Sequence, residues 1–362
     1  MPKIRTFRKE DVSRKYIEAA TCFLKPVLAL STRLKRLLGA KSKVRLLYLE
    51  VTHRCNLKCI GCYTQAGEEK HNSLSLEEQK SVVKQAKEMG ARSVSISGSG
   101  EPLLYKDLFA LIDYIRQLGM VVVIFTNGTV LDKQTADFLI SRKVVVYFKL
   151  YSLDPVVFDR MTGTKGIYKW VDYIYKYNDE PKRLKIPSGL KHLLDVTQTE
   201  ESRNLVRIET LITRINYHTL PEVARFSKEL NLGFYMETPV FKGRAIENYN
   251  DIAPSSTEYQ NLYYNLIEIL GEEYFQEHRN HPCPVERNPV VWTNGEVGFC
   301  SSRGACVGNV RDAPLNVLFL KAKRLKRKED CLIAKHKRTS RYFRTCPARQ
   351  YYEIKNRIPC NY

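Results

Sequence analysis

Six apolar, β-branched runs alternate with amphipathic stretches between positions 44 and 238, and this rhythm constrains the fold more than any other feature of the chain. The runs at 45–52, 93–97, 121–126, 144–151, 205–213 and 233–237 read as strands. Helices are predicted at 75–89, 104–118, 131–142, 166–177 and 218–230. Ser75 with Glu78 three residues on is a capping-box signature, and Gly90 and Gly119 stand where helix C-caps belong. Repeated β-α units of this length imply a parallel sheet with right-handed crossovers. The expected fold class is α/β: a partial (β/α)6 TIM barrel with a small C-terminal cysteine-rich α+β extension. The segments read as a basic N-terminal helical region at 1–43, the barrel at 44–238, a linker and bridging helix at 239–282, and the extension at 283–362. Residues 179–203 interrupt the rhythm as a long polar insertion, the kind of loop that is functional or mobile.

Chemistry in such barrels collects at the strand C-termini. After the first strand comes Cys55-Asn56-Leu57-Lys58-Cys59-Ile60-Gly61-Cys62, three cysteines in eight residues. Thiolates are soft ligands that suit zinc, Cu(I) or iron–sulfur clusters. A structural zinc site wants four closed ligands. No fourth local cysteine completes one, although His53 and His71 are near in sequence. Three thiolates fit a [4Fe–4S] cube with one iron left open. Two further strand ends carry loop signals: Ser97-Gly98-Ser99-Gly100-Glu101-Pro102 after the second and Thr126-Asn127-Gly128-Thr129 after the third. Asn127 is also a common turn former, and Asp154, after the fourth strand, a common helix cap.

The Cys-x3-Cys-x2-Cys loop after a strand resembles the radical S-adenosylmethionine (SAM) enzymes. The aromatic residue that usually precedes the third cysteine is replaced by Gly61, with Tyr63 just after. Gly98 to Pro102 resembles the family's Gly-Gly-Glu-Pro motif, with Ser99 in place of the first glycine. Thr126-Asn127-Gly128 is similar to its Thr-Asn-Gly turn, and Ser152-Leu153-Asp154 to its Ser-x-Asp segment. The resemblance implies a [4Fe–4S] cluster on Cys55, Cys59 and Cys62, and SAM held by Gly98, Ser99, Gly100, Glu101, Pro102, Asn127 and Ser152. Arg207 and Glu209 on the fifth strand are further candidates to face the cofactor. Gly243-Arg244-Ala245 resembles the turn at which these barrels hand over to an extension.

Six more cysteines fill the last 80 residues. Two β-like runs around Asn294-Gly295 signal a hairpin with a type I′ turn, which would draw Cys283 and Cys300 together. This pattern, with Gly308-Asn309-Val310 following, is similar to the SPASM/twitch extensions that hold auxiliary clusters. Six thiols are too few for two fully cysteine-ligated cubes, so one auxiliary [4Fe–4S] cluster is expected. Its ligands are taken as Cys283, Cys300, Cys306 and Cys346, with Cys360 and then Cys331 as replacements. A structural zinc site and free buried thiols are the alternatives; Cys22 reads as a buried thiol.

Lys and Arg number 59 against 39 Asp and Glu, a net charge of +20. Such a balance suits an anionic partner or surface, but no RNA-binding signature is present and nucleic acid is not expected. The leucine-rich helix before residue 43 is expected to cover or flank the barrel, with peripheral membrane contact as the alternative. No secretory signal is visible, and a reducing cytoplasm is expected. The family resemblance implies an oxidoreductase or maturase fed by a one-electron donor such as ferredoxin or flavodoxin. A peptide or protein substrate is the first choice. A small or lipid-borne substrate is the alternative, and a zinc-stabilised nucleic-acid-binding protein the non-enzymatic one. No catalytic acid or base can be named.

Overall fold

A computed structural model describes residues 44–177, 180–274, 288–298 and 306–324. Its main sheet contains β1 (Leu46–Leu49), β2 (Ser93–Ile96), β3 (Val121–Thr126), β4 (Val145–Lys149), β7 (Val206–Leu211) and β8 (Gly233–Glu237) as neighbouring parallel strands. All six expected strands are present, and the sheet is open, a partial barrel. Along β1, β3 and β4, buried residues alternate with half-buried or, at Val121, exposed ones. The buried set, including Leu47, Leu49, Val122, Ile124, Val146, Phe148 and Ile208, packs in one hydrophobic core with apolar residues of the helices, such as Val82, Leu111 and Val223. The opposite face carries Tyr48, Tyr147, Lys149, Glu209 and Tyr235. Alternation of side chains along a strand enforces this division.

The first helix, α1 (Leu76–Glu88), begins at the expected capping box: Ser75 accepts from the Glu78 N–H at 3.3 Å, and the Ser75 N–H donates to Glu78 Oε2 at 2.8 Å. The same device starts the bridging helix Ser256–Leu270.

One helix was misplaced by the sequence reading. Residues 170–177 are a strand, β5 (Trp170–Tyr177), paired antiparallel with β6 (Glu180–Pro187) in a separate ribbon. The expected helix at 166–177 does not form; the helix after β4 is Pro155–Thr162, capped by Asp154. Val171, Tyr173 and Tyr175 are half-buried while Asp172, Ile174 and Lys176 are exposed, a period of two. Such an alternation of β-branched and aromatic residues favours a strand. The supposed polar insertion is correspondingly ordered. It holds β6, a helix at Ser188–Val196 whose Leu190, Leu193 and Leu194 are buried, and a short turn of helix at Glu200–Arg203.

The C-terminal hairpin, β9 (Val290–Val291) with β10 (Val297–Gly298), joins the main sheet, β9 lying parallel to β1. Its turn is not type I′. Only Gly295 has a positive φ (84°), the Gly295 N–H donates to Trp292 O, and the Trp292 N–H donates to Glu296 O, both at 2.9 Å. That is a tight turn closed by a glycine in the left-handed region. A helix over 315–324 buries Leu315, Leu318, Phe319 and Ala322. Ahead of it Arg311 pairs with Glu78 of α1, Nε to Oε1 at 2.5 Å, and holds that carboxyl down at about 2. Arg311→Leu is expected to speed proteolysis within 306–324 while leaving the strands protected against hydrogen exchange, since the pair is a local clasp at the surface.

Candidate active site

Cys55, Cys59 and Cys62 lie on the loop leaving the C-terminal end of β1, all three half-buried. Contacts that do not involve sulfur shape this loop. The Cys55 N–H donates to Gly67 O at 2.7 Å and the Ile60 N–H to Met161 O at 3.1 Å. Arg244, after β8, donates from Nε to the Cys59 carbonyl at 3.0 Å and from a terminal nitrogen to Ala66 O at 3.1 Å. A side chain on Gly61 would run into Leu211 of β7. The aromatic position of the family motif is therefore taken here by a residue that lets the loop settle on the sheet.

Burial pushes the Cys59 thiol up to about 12, although Lys149 and Arg244 pull the other way. Burial also disfavours a Cys62 thiolate. There, hydrogen bonds from the Thr64 side chain and the Ala66 and Thr64 backbone, with the Arg244 charge, bring the thiol below its ordinary value. Among the described residues no three His, Cys, Asp or Glu side chains are grouped to hold a metal ion. A cube presents its irons at separate corners, so three thiols on one loop can each take one without converging.

The second loop packs against the first. Gly100 lies against the Thr52–Arg54 backbone so closely that any Cβ would overlap the Arg54 carbonyl. Thr64 Oγ1 donates to Ser99 O at 2.9 Å, and Ser99 Oγ donates to the buried Glu50 carboxylate. Glu101 is 2 % exposed and saturated: it accepts from Thr126 Oγ1 (2.6 Å), the Asn127 N–H (2.7 Å) and the Leu103 N–H (3.1 Å). Pro102 is buried and opens a short 3-10 turn, Pro102–Leu104. Asn127 Nδ2 donates to Asn56 Oδ1 at 3.1 Å and stands 4.0 Å from Cys55 Sγ, so it braces the cysteine loop. Ser152 is fully buried, and its Oγ accepts from the Asp154 N–H at 3.0 Å. The loops carrying Gly98 to Pro102 and Asn127 are thus joined to the cysteine loop; the Ser152 hydroxyl is turned to its own backbone.

Glu50, Lys149, Arg244 and Glu237 escaped the reading of the sequence as individual site residues. For Lys149 and Glu237 the available signal was a charge at the last position of a strand. Burial raises the Glu50 carboxyl from 4.5 to about 7, against the pull of the Ser99 hydrogen bond and Lys70. A carboxyl with a raised native pKa costs stability once ionised: the cost is absent below about pH 4.5 and complete above about pH 7. Glu50→Gln is therefore expected to match the wild-type chain at pH 4 and to exceed it by up to about 3 kcal/mol at pH 8, read from urea midpoints of the metal-free protein.

Of the proposed auxiliary ligands, Cys306 is exposed, with Sγ 3.5 Å from Gly308 O. Cys283, Cys300 and Cys346, and the replacements Cys331 and Cys360, lie outside the described residues, as do Cys22 and the whole of 1–43, where a helix was expected.

Residues 49–181 match the Radical SAM superfamily, so this part of the chain is a radical SAM domain, a domain that uses a [4Fe–4S] cluster with SAM. The chain is 32% identical over 205 residues to Fe-coproporphyrin III synthase of Methanosarcina barkeri, covering 55% of this chain and 49% of that protein. It is 31% identical over 121 residues to the subtilosin biosynthesis protein AlbA of Bacillus subtilis, covering 33% of this chain and 27% of that protein. It therefore spans half or less of the length of these relatives. The fold is shared with SuiB of Streptococcus suis, solved bound to its precursor peptide SuiA, at TM-score 0.60 and 18% identity over 81% of this chain and 70% of SuiB. Among the described residues no helix is long and apolar enough to cross a membrane.

Proposed function

We propose that this chain is a radical SAM oxidoreductase or maturase that modifies a peptide or protein. The observation that carries the reading is the three-thiol loop at the end of β1, braced by Arg244 and Asn127 within a radical SAM domain. Cys55, Cys59 and Cys62 would hold the cluster. The chemistry such a cluster would supply together with SAM is a 5′-deoxyadenosyl radical able to take hydrogen from a substrate. The chain's own residues place and shield that chemistry. Gly100 brings the second loop against the first, and the family resemblance gives the loop from Gly98 to Pro102 the methionine amino group. Glu101 ties this loop to Thr126 and Asn127 and holds the two at a set spacing.

A peptide substrate is favoured by the likeness to AlbA and to SuiB with its precursor peptide. The second reading, a small or lipid-borne substrate, is supported by Fe-coproporphyrin III synthase and by several GTP 3′,8-cyclases among the relatives. An auxiliary cluster on Cys283, Cys300, Cys306 and Cys346 and a ferredoxin or flavodoxin donor in the cytoplasm complete the proposal. Peripheral membrane contact through residues 1–43 belongs to the second reading. Anaerobic reconstitution with iron and sulfide, followed by SAM and dithionite, is expected to yield 5′-deoxyadenosine. A correctly assembled cluster that releases none would overturn the enzymatic reading.

A further inference from the structure

The ribbon of β5 and β6 stands apart from the main sheet. Its inner face is anchored. Tyr175 meets Phe226 of the helix Leu220–Glu229 edge-on at 5.9 Å, Trp170 meets Phe158 in the same way at 5.5 Å, and Ile186 is fully buried. Two residues before β5, the Tyr168 hydroxyl donates to Asn127 O at 3.0 Å. The base of the ribbon is thereby tied to the third strand end, beside the cysteine loop. The outer face is open: Asp172, Ile174 and Lys176 lie opposite Lys185, Arg183 and Pro181, and all six are exposed.

The two edges of the ribbon differ. The Ser188 N–H donates to Lys169 O at 2.7 Å, a hydrogen-bonded pair just beyond the strands. Bonded and unbonded pairs alternate along an antiparallel ladder. Val171 with Ile186, Tyr173 with Leu184 and Tyr175 with Lys182 are then the bonded pairs, and the backbone of the residues between them points away from the partner strand. On β6 those outward positions include Pro181 and Pro187, which have no N–H and blunt that edge. On β5 they are Asp172, Ile174 and Lys176, whose N–H and C=O groups meet no other backbone group among the described residues. One edge resists a further strand; the other offers a free ladder.

The outer face is also basic. Asp172 takes Arg183 at 2.7 Å and faces Lys185, while Lys176 makes no ion pair among the described residues. Three cations therefore stand against one carboxylate, and Glu180 and Lys182, on the opposite face, cancel. Ile174 lies between these charges, 65 % exposed. Charge selects the occupant. A second copy of this chain would bring the same cations to the same edge, whereas an acidic strand would neutralise them.

We propose that the free edge of β5 takes up an extended acidic segment of the peptide substrate as a third strand. Its main chain would pair with Asp172, Ile174 and Lys176, and its carboxylates would lie over Lys176, Arg183 and Lys185. The inference rests on the reading of this chain as a peptide-modifying enzyme. Strand addition draws affinity from the backbone and specificity from alternate side chains. One end of the docked strand lies at the base of the ribbon, at the rim of the site.

The test uses the full chain reconstituted anaerobically, saturated with SAM and kept without reductant. Fluorescence anisotropy compares a labelled octapeptide of alternating Val and Glu with one of alternating Val and Lys. The acidic peptide is expected to bind about tenfold more tightly. N-methylation of its Glu residues blocks an antiparallel ladder and of its Val residues a parallel one, so at least one of these forms should fail to bind. Ile174→Pro removes the central outward N–H without touching a β5–β6 bond and should lose most of the affinity. Lys176→Glu with Lys185→Glu, which leaves the backbone alone, should turn the preference toward the Val-Lys peptide. Equal binding of the two peptides, or full binding by both methylated forms, overturns the proposal. So does a dimer in sedimentation that Ile174→Pro separates, because a second copy would then hold the edge. Release of 5′-deoxyadenosine on adding reductant reports on the enzymatic reading separately: binding without release sinks that reading alone, and release without binding sinks this one.

Discussion

Cys59→Ala is expected to give a folded protein that no longer holds the cluster at the first loop. The loop's shape depends on the Cys55 and Ile60 amides and on Arg244 at the Cys59 carbonyl, all of which the substitution leaves in place. Losing a partly buried thiol should cost about 1 kcal/mol, a small fraction of a domain's stability. The loss of chemistry should be complete, because a cube held by three thiolates has none to spare. After anaerobic reconstitution the absorption band near about 400 nm should fall to the contribution of any auxiliary cluster. 5′-deoxyadenosine should become undetectable. The measurement is iron per chain and absorbance beside the wild-type protein, with the urea midpoint of the metal-free form as the folding control. A variant with undiminished iron and undiminished 5′-deoxyadenosine would show that the cluster is not where the loop places it.

Glu101→Ala is expected to be the most damaging single change outside the cysteines. Three donors, Thr126 Oγ1 and the adjacent Asn127 amide from the third strand end and the Leu103 amide from its own loop, end on this one buried carboxylate. Removing it leaves them unsatisfied at about 1–3 kcal/mol each before relaxation. A net loss of about 4 kcal/mol follows once water or a shifted loop recovers part of that cost. The second and third strand ends would also lose their connection, so SAM retention should fall further than stability alone explains. Glu101→Gln tests the geometry. Its amide nitrogen would face at least one donor, so it should recover only part of the loss in the same urea and retention measurements. Full recovery would mean that volume, not the hydrogen bonds, holds the loops.

The two error-prone regions of the sequence reading share a cause. At 166–177 the tyrosines fit a helical stripe as well as a strand, and the choice depended on a partner strand, Glu180–Pro187, that a local window does not contain. At Asn294-Gly295 the dipeptide pointed to a hairpin, which is present. The turn type followed instead from the bonds that Trp292 makes to Gly295 and Glu296. The capping box at Ser75 was written in residues three apart, and it formed where its spacing placed it; Ser255 with Glu258 makes the same device at the bridging helix.

The sequence by itself determined the parallel β-α units and the placing of the three cysteines after the first strand. These depend on periodicity and short spacing, which a linear chain displays directly. Tertiary structure alone decided that Arg244 would reach the Cys59 carbonyl, that Glu50 would be buried against Ser99, and that Lys149 would face Glu209 across two strands. Those contacts join residues 49 to 185 positions apart. Their partners are set by strand register and by the packing of one loop on another, quantities that arise only once the sheet has formed.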